Sequence, residues 1–167
     1  MPASPETVDS DLVICRERPD QPEVVELLDA LDAYLRELYE PEANHILEVR
    51  ELLVPEVHFL VARQASRAVG CAAVRRMPAE AATGHRAYGE IKRMVVRPEC
   101  RGARIAERLL VALESTLAEQ GISLALLETG SEQHAAVRLY RRSGYARRGP
   151  FGGYPDNGLS LFMEKRL

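Results

Sequence analysis

A chain of 167 residues, 46% of them hydrophobic and 28% charged, has the size and make-up of one globular domain and differs from a disordered or fibrous protein. Its net charge of −3 argues against general nucleic-acid binding, which rests on a strongly basic surface. Cys15, Cys71 and Cys100 are odd in number and widely spaced; they point to neither a disulfide framework nor a zinc site and fit a reducing, cytoplasmic setting. No apolar run reaches the length of a membrane span, and the start of the chain has no basic-then-apolar signal pattern.

Residues 1–10, rich in Pro, Ser and Glu, read as a loose leader, and 11–167 as a single domain. A first strand is expected within 11–18. Asp20 then serves as N-cap, Pro22 enters the first turn, and Val24, Leu27, Leu28, Leu31, Leu35 and Leu38 follow at spacings of three and four, an amphipathic helix. Pro41 breaks it, and 42–53 reads as a shorter second helix entered near Asn44. Two strand-like runs, 57–63 and 68–76, flank a plausible hairpin turn. Residues 78–85, with Pro, Gly and several Ala, read as a loop before a strand at about 88–96. The stripe Ile105, Leu109, Leu113 and Leu117 predicts a helix over 102–120, closed by Gly121 in the left-handed conformation. The nearly unbroken apolar run 122–128 is that of a strand covered on both faces. Ser131 caps a helix through Ala135, Ala136, Leu139 and Tyr140, closed by Gly144. Final strands at 145–148 and 159–166 are joined by a loop over 149–158.

The richest stretch is 90–106. The run Met94, Val95, Val96 is stopped by Pro98, and a helix starts where the apolar spacing changes from two to three or four. At that start Arg101, Gly102, Ala103 and Arg104 bring unpaired backbone N–H groups, the positive end of the helix dipole and two guanidinium groups into one small volume. Such a place binds phosphate.

This stretch resembles the cofactor-binding signature of the GNAT superfamily of N-acetyltransferases. There an Arg or Gln, two free positions, a Gly, a free position and a Gly or Ala cradle the pyrophosphate of acetyl-CoA. The match runs through Arg101, Gly102, Ala103, Arg104, Ile105 and Ala106, with Arg104 standing where the family usually has glycine. A second resemblance lies in Leu139-Tyr140 followed three residues later by Gly144-Tyr145. Gln133 stands where the family often has an Asn that contacts the pantetheine arm.

The resemblance implies an α/β fold: a mixed, twisted sheet of about six to seven strands flanked by about four helices, the central strands splayed into a V. It implies acetyl-CoA as co-substrate without metal, held by the turn and by the main chain of Met94, Val95 and Val96. Glu90 would take the amine's proton and Tyr140 would return one to the thiolate. The alternatives are ordinary: a surface glutamate paired with Lys92 or Arg93, and a half-buried helix tyrosine. Lys92 and Arg93 also hint at an acceptor with an anionic group, and among the histidines only His45, in the expected acceptor wall, is a candidate contact.

The expected reaction is direct acetyl transfer to the primary amine of a small molecule. A protein amino group is the alternative acceptor, and a non-catalytic acyl-CoA sensor the alternative role. Neither nucleic acid nor membrane is an expected partner, and a homodimer is left open.

Overall fold

The computed structural model describes residues 11–167; the expected leader, 1–10, lies outside them. In chain order the elements are β1 (Val13–Arg16), α1 (Pro22–Leu38), α2 (Val49–Leu52), β2 (Val57–Gln64), β3 (Arg67–Glu80), β4 (Arg86–Val96), α3 (Ile105–Glu119), β5 (Leu124–Gly130), α4 (His134–Arg142), β6 (Ala146–Arg148) and β7 (Ser160–Arg166). The strands form one mixed sheet in the order β1-β2-β3-β4-β5-β7-β6, antiparallel throughout except between β4 and β5. The expected α/β architecture is the one observed.

Strand alternation sorts the core into two layers. Val57, Phe59 and Val61 of β2 meet Val24, Leu27 and Leu28 of α1, with Leu52 of α2 alongside. Leu60 and Ala62 point the other way, to the α3 stripe Ile105, Leu109, Leu113 and Leu117 and to Leu139 and Tyr140 of α4. A smaller cluster, Tyr88, Leu124, Leu126, Phe151 and Phe162, secures the loop before β7. Gly121 and Gly144 do end their helices in left-handed backbone, at φ 74° and 93°.

Several boundaries differ from the sequence reading, each for a local reason. Asp20 does not cap α1: its carboxylate is taken by Arg18, and Gln21 holds the cap position. Ser131 likewise yields the start of α4 to Gln133. Residues 42–53 are not one helix. A single turn at Pro41–Ala43 is followed by extended chain, and α2 begins only where the Glu48 N–H donates to the Glu51 carboxylate at 2.7 Å, half of a capping box. Pro78 lies inside β3, at a shift of register between Met77 and Glu80, where a missing N–H costs no ladder bond. Helix α3 starts at Ile105, so Arg101 to Arg104 form the turn before it.

The central pair is short. β4 and β5 are matched at only three positions, Gly89 with Ala125, Glu90 with Leu126 and Ile91 with Leu127. Leu117 of α3 packs directly on this seam, so close that a Cβ at Gly89 would lie 2.3 Å from it. Beyond Ile91, β4 stays with β3 while β5 stays with β7. A bulge sharpens the departure: Ala73 faces Lys92 and Cys71 faces Val95, leaving Arg93 and Met94 opposite Ala72 alone. Arg93 adopts φ 58°, left-handed backbone that is costly for a residue with a side chain. A V opens there in the middle of the sheet.

At the sheet edge Arg63 of β2 ties together Glu17, Gln21, Glu23 and the Ser66 carbonyl. The Arg63 guanidinium holds the Glu17 carboxyl below its ordinary range. Glu17 therefore contributes stability that is present above the unfolded carboxylate range and is lost as pH falls through the depressed folded value. Arg63→Met is expected to lower unfolding free energy by about 1 to 2 kcal/mol at neutral pH. The difference from wild type should shrink in acid, which denaturation curves at several pH values will measure.

Candidate active site

The V is a cleft with Met94 on the β4 wall, Gln133 and Tyr140 from α4 opposite, and Leu31 and Leu35 from the last turns of α1 above. Its β4 wall, Ile91 to Met94, has no strand partner on the β5 side beyond Ile91. Buried backbone polar groups need partners, and an extended ligand lying in the V would supply them. One end is sealed by Tyr39, whose hydroxyl accepts a bond from the Glu132 N–H at 2.9 Å. Gly130 allows this, because a Cβ there would sit 1.9 Å from that hydroxyl.

The turn after β4 has the properties of an anion cradle. Gly102 at φ 86° and Arg104 at φ 59° coil the chain ahead of α3. Among the described residues, the backbone N–H groups from Gly102 through Glu107 find no protein acceptor. Arg101 is exposed and carries no ion pair among the described residues. Arg104 does not stand free: Glu107 takes Arg104 and Arg142 together, each at 2.8 Å. Arg97, just before the turn, donates to the Ala68 carbonyl at 2.7 Å.

Tyr140 is buried, 6% exposed, and lines the cleft; no partner among the described residues engages its hydroxyl. Burial, with the nearby Glu128 carboxylate, pushes its phenol well above the usual range, so it stays an O–H donor. Glu128 itself stands on the β5 side of the V, accepting from the Ser160 hydroxyl at 2.9 Å. Burial raises its carboxyl.

Glu90 is on the opposite face of β4 from Ile91, 5% exposed, and is no surface glutamate. Its Oε1 accepts from the Tyr154 hydroxyl and lies 3.2 Å from Lys92 Nζ. Its Oε2 has no partner among the described residues. Lys92 donates further to the Tyr154 hydroxyl at 2.8 Å and to the His45 carbonyl at 3.0 Å. Burial and the Glu90 carboxylate raise the Tyr154 phenol, keeping it protonated. The His45 ring packs edge-on against Tyr154 at 4.9 Å, its Nε2 buried without a partner. A second pocket, lined by Glu90, Lys92, His45, Arg75 and Tyr154, opens on this group. His45 and Lys92 border both cavities, so the two meet at that point.

Arg93, read from the sequence as a possible acceptor contact, is otherwise occupied. Its guanidinium pairs with Asp32 of α1 and donates to the Leu28 carbonyl. Tyr154 escaped the sequence reading altogether. Phe151, 2% exposed, anchors its loop edge-on against Tyr88 and Phe162, and the Gly152 N–H donates to Glu80 at 2.8 Å. Two aromatics bracketing Gly152-Gly153 were the available sign. Among the described residues no group of three or more potential metal ligands is found, and no helix is long and apolar enough to cross a membrane.

These features accord with the comparisons. The acetyltransferase (GNAT) family model matches residues 24–145. The IAA acetyltransferase of Azospirillum brasilense is 46% identical over 157 residues, covering 94% of this chain and 99% of that protein. The aminoalkylphosphonate N-acetyltransferase of Salmonella typhimurium is 29% identical over 146 residues, covering 80% of this chain and 93% of its own. A solved structure described as an acyl-CoA N-acyltransferase, from Klebsiella pneumoniae, superposes with a TM-score of 0.76 at 35% identity, covering 93% of this chain and 97% of that one. The chain belongs to the GNAT family of acetyltransferases.

Proposed function

We propose that the protein transfers the acetyl group of acetyl-CoA to the primary amine of a small molecule by direct attack within a ternary complex. The observation that carries this reading is the meeting of two cavities at Lys92 and His45, one bordered by Tyr140 and the other by Glu90.

The donor fits the first cavity and its entrance. The N–H groups of Gly102, Ala103, Arg104, Ile105 and Ala106, with the guanidinium of Arg101, suit a diphosphate. The unpartnered edge of Met94, Val95 and Val96 and the amide of Gln133 suit the pantetheine arm. Backbone supplies most of this grip, so the departure from glycine at 104 is tolerable: the N–H remains and the side chain turns to Glu107.

In the reaction the amine nitrogen bonds to the thioester carbon and the carbon–sulfur bond breaks. The amine's proton passes to the unengaged Oε2 of Glu90, directly or through water, and the departing thiolate takes a proton from Tyr140, which recovers one from solvent. Lys92 and Tyr154 fix Glu90 in place through contacts to its Oε1. The walls of the acceptor pocket, His45 and Leu47 on one side and residues 152–155 on the other, suit a small molecule better than a protein chain. The names of the Azospirillum and Salmonella relatives point the same way.

Three outcomes follow. Tyr140→Phe should lower kcat by about a hundredfold while leaving coenzyme A affinity nearly unchanged, as thiol release and calorimetric titration will separate. Glu90→Gln should depress kcat/KM while leaving coenzyme A affinity nearly unchanged, read by the same two assays. Arg101→Ala should weaken coenzyme A binding about tenfold with little change in kcat, and Gly102→Val should weaken it further, because a β-branched residue is strained at φ 86°. Wild-type-like coenzyme affinity in both turn variants would exclude this turn as the diphosphate site.

A further inference from the structure

We propose that Arg75 receives an anionic group of the acceptor, which makes the substrate a short amine that also carries a carboxylate or phosphonate. This rests on the reading of the Glu90 pocket as the acceptor site and names the class of molecule that pocket takes.

The charges of the pocket do not cancel. Its ionic groups are Glu90, Lys92 and Arg75. Lys92 lies 3.2 Å from Glu90, both nearly buried, with side chains 10% and 6% exposed, so these two balance. Arg75 is half-buried and has no acidic or carbonyl partner among the described residues. Its nitrogens are not among the buried unpartnered atoms of the described residues, so water holds its five donors until an anion displaces it, and its planar fork suits a carboxylate or phosphonate. The other arginines near the site are committed: Arg93 to Asp32, Arg97 to Ala68, Arg148 to Glu164.

Position limits the size of the ligand. Arg75 of β3 is the direct partner of Glu90 of β4 in the antiparallel ladder, and side chains so paired stand on one face with their Cβ atoms about 5 Å apart. An amine presented to Glu90 therefore has its anion a few atoms away if Arg75 is to hold it. The pocket encloses about 260 Å³, room for a molecule of that kind. The orphaned Nε2 of His45 offers a further polar contact at the border with the donor cleft.

The test compares 2-aminoethylphosphonate, β-alanine and ethylamine on the full chain preloaded with coenzyme A, for wild type, Arg75→Gln and Arg75→Lys. Binding is read by calorimetry and turnover by thiol release with acetyl-CoA. The two anionic amines should bind wild type at least about tenfold more tightly than ethylamine. Arg75→Gln should abolish that preference without altering coenzyme A affinity or unfolding temperature, and Arg75→Lys should restore part of it. Equal binding of all three amines, no binding of any, or an unchanged preference in Arg75→Gln would overturn the proposal. Thiol release with ethylamine alone would overturn it and leave acetyl transfer to amines standing. Anion-dependent binding with no thiol release for any amine would support the Arg75 site and refute the transfer reaction instead.

Discussion

Three matched positions between β4 and β5 hold the halves of this sheet together, and everything that concerns the site depends on the pairing stopping where it does. Parallel strands in the middle of a sheet normally stay paired over their length, since each unpaired N–H or C=O in a dry interior is costly. Here the cost is accepted after Ile91, and the bulge at Arg93 and Met94 turns β4 aside. The result is a slot with one edge of β4 main chain unpaired along a wall, and the same strand leads on to the free amides that precede α3. A slender, polar, phosphate-ended molecule is the natural complement of such a slot. The tight packing of Leu117 on Gly89 keeps the seam shut below the point of divergence.

The Glu90 pocket is built on another principle. Its side chains are held by mutual contacts: Tyr154 to Glu90, Lys92 to both, His45 edge-on to Tyr154. Partly buried networks of this kind are rigid when satisfied and costly when one member is removed. The network leaves over Oε2 of Glu90, Nε2 of His45 and the guanidinium of Arg75, and the residues that carry them line the second pocket, which shares Lys92 and His45 with the cleft. The proposed reaction uses these atoms.

Much of the fold was legible because it rests on period and punctuation. The stripe of α3, the doubly covered run of β5 and the glycines at 121 and 144 each have a local cause, and local causes survive in sequence. The presence of Tyr140 in the lining of the cleft likewise followed from a short motif. What the sequence hid was decided at a distance. Asp20 was an ideal cap that Arg18 claimed first. The run 42–53 read as one helix, yet Ile46 and Leu47 within it serve as pocket wall and core from non-helical chain. Pro78 signalled a break that a shift of register absorbed. Tyr154 lay in a stretch that looked like mere connection, and its partner Glu90 is sixty-four positions away. Arg93, apparently a spare cation, turned out to be a structural fastener.

That fastener has a wider reach. A glycine at position 93 would sit more comfortably at its backbone angles, yet it would have nothing with which to hold Asp32 and the Leu28 carbonyl. The chain keeps the strained arginine, and helix α1 is thereby bolted to the kink that opens the sheet. The helix above the cleft and the strand that forms its wall consequently cannot shift independently, and a change at Asp32, outside every motif, would be transmitted to both.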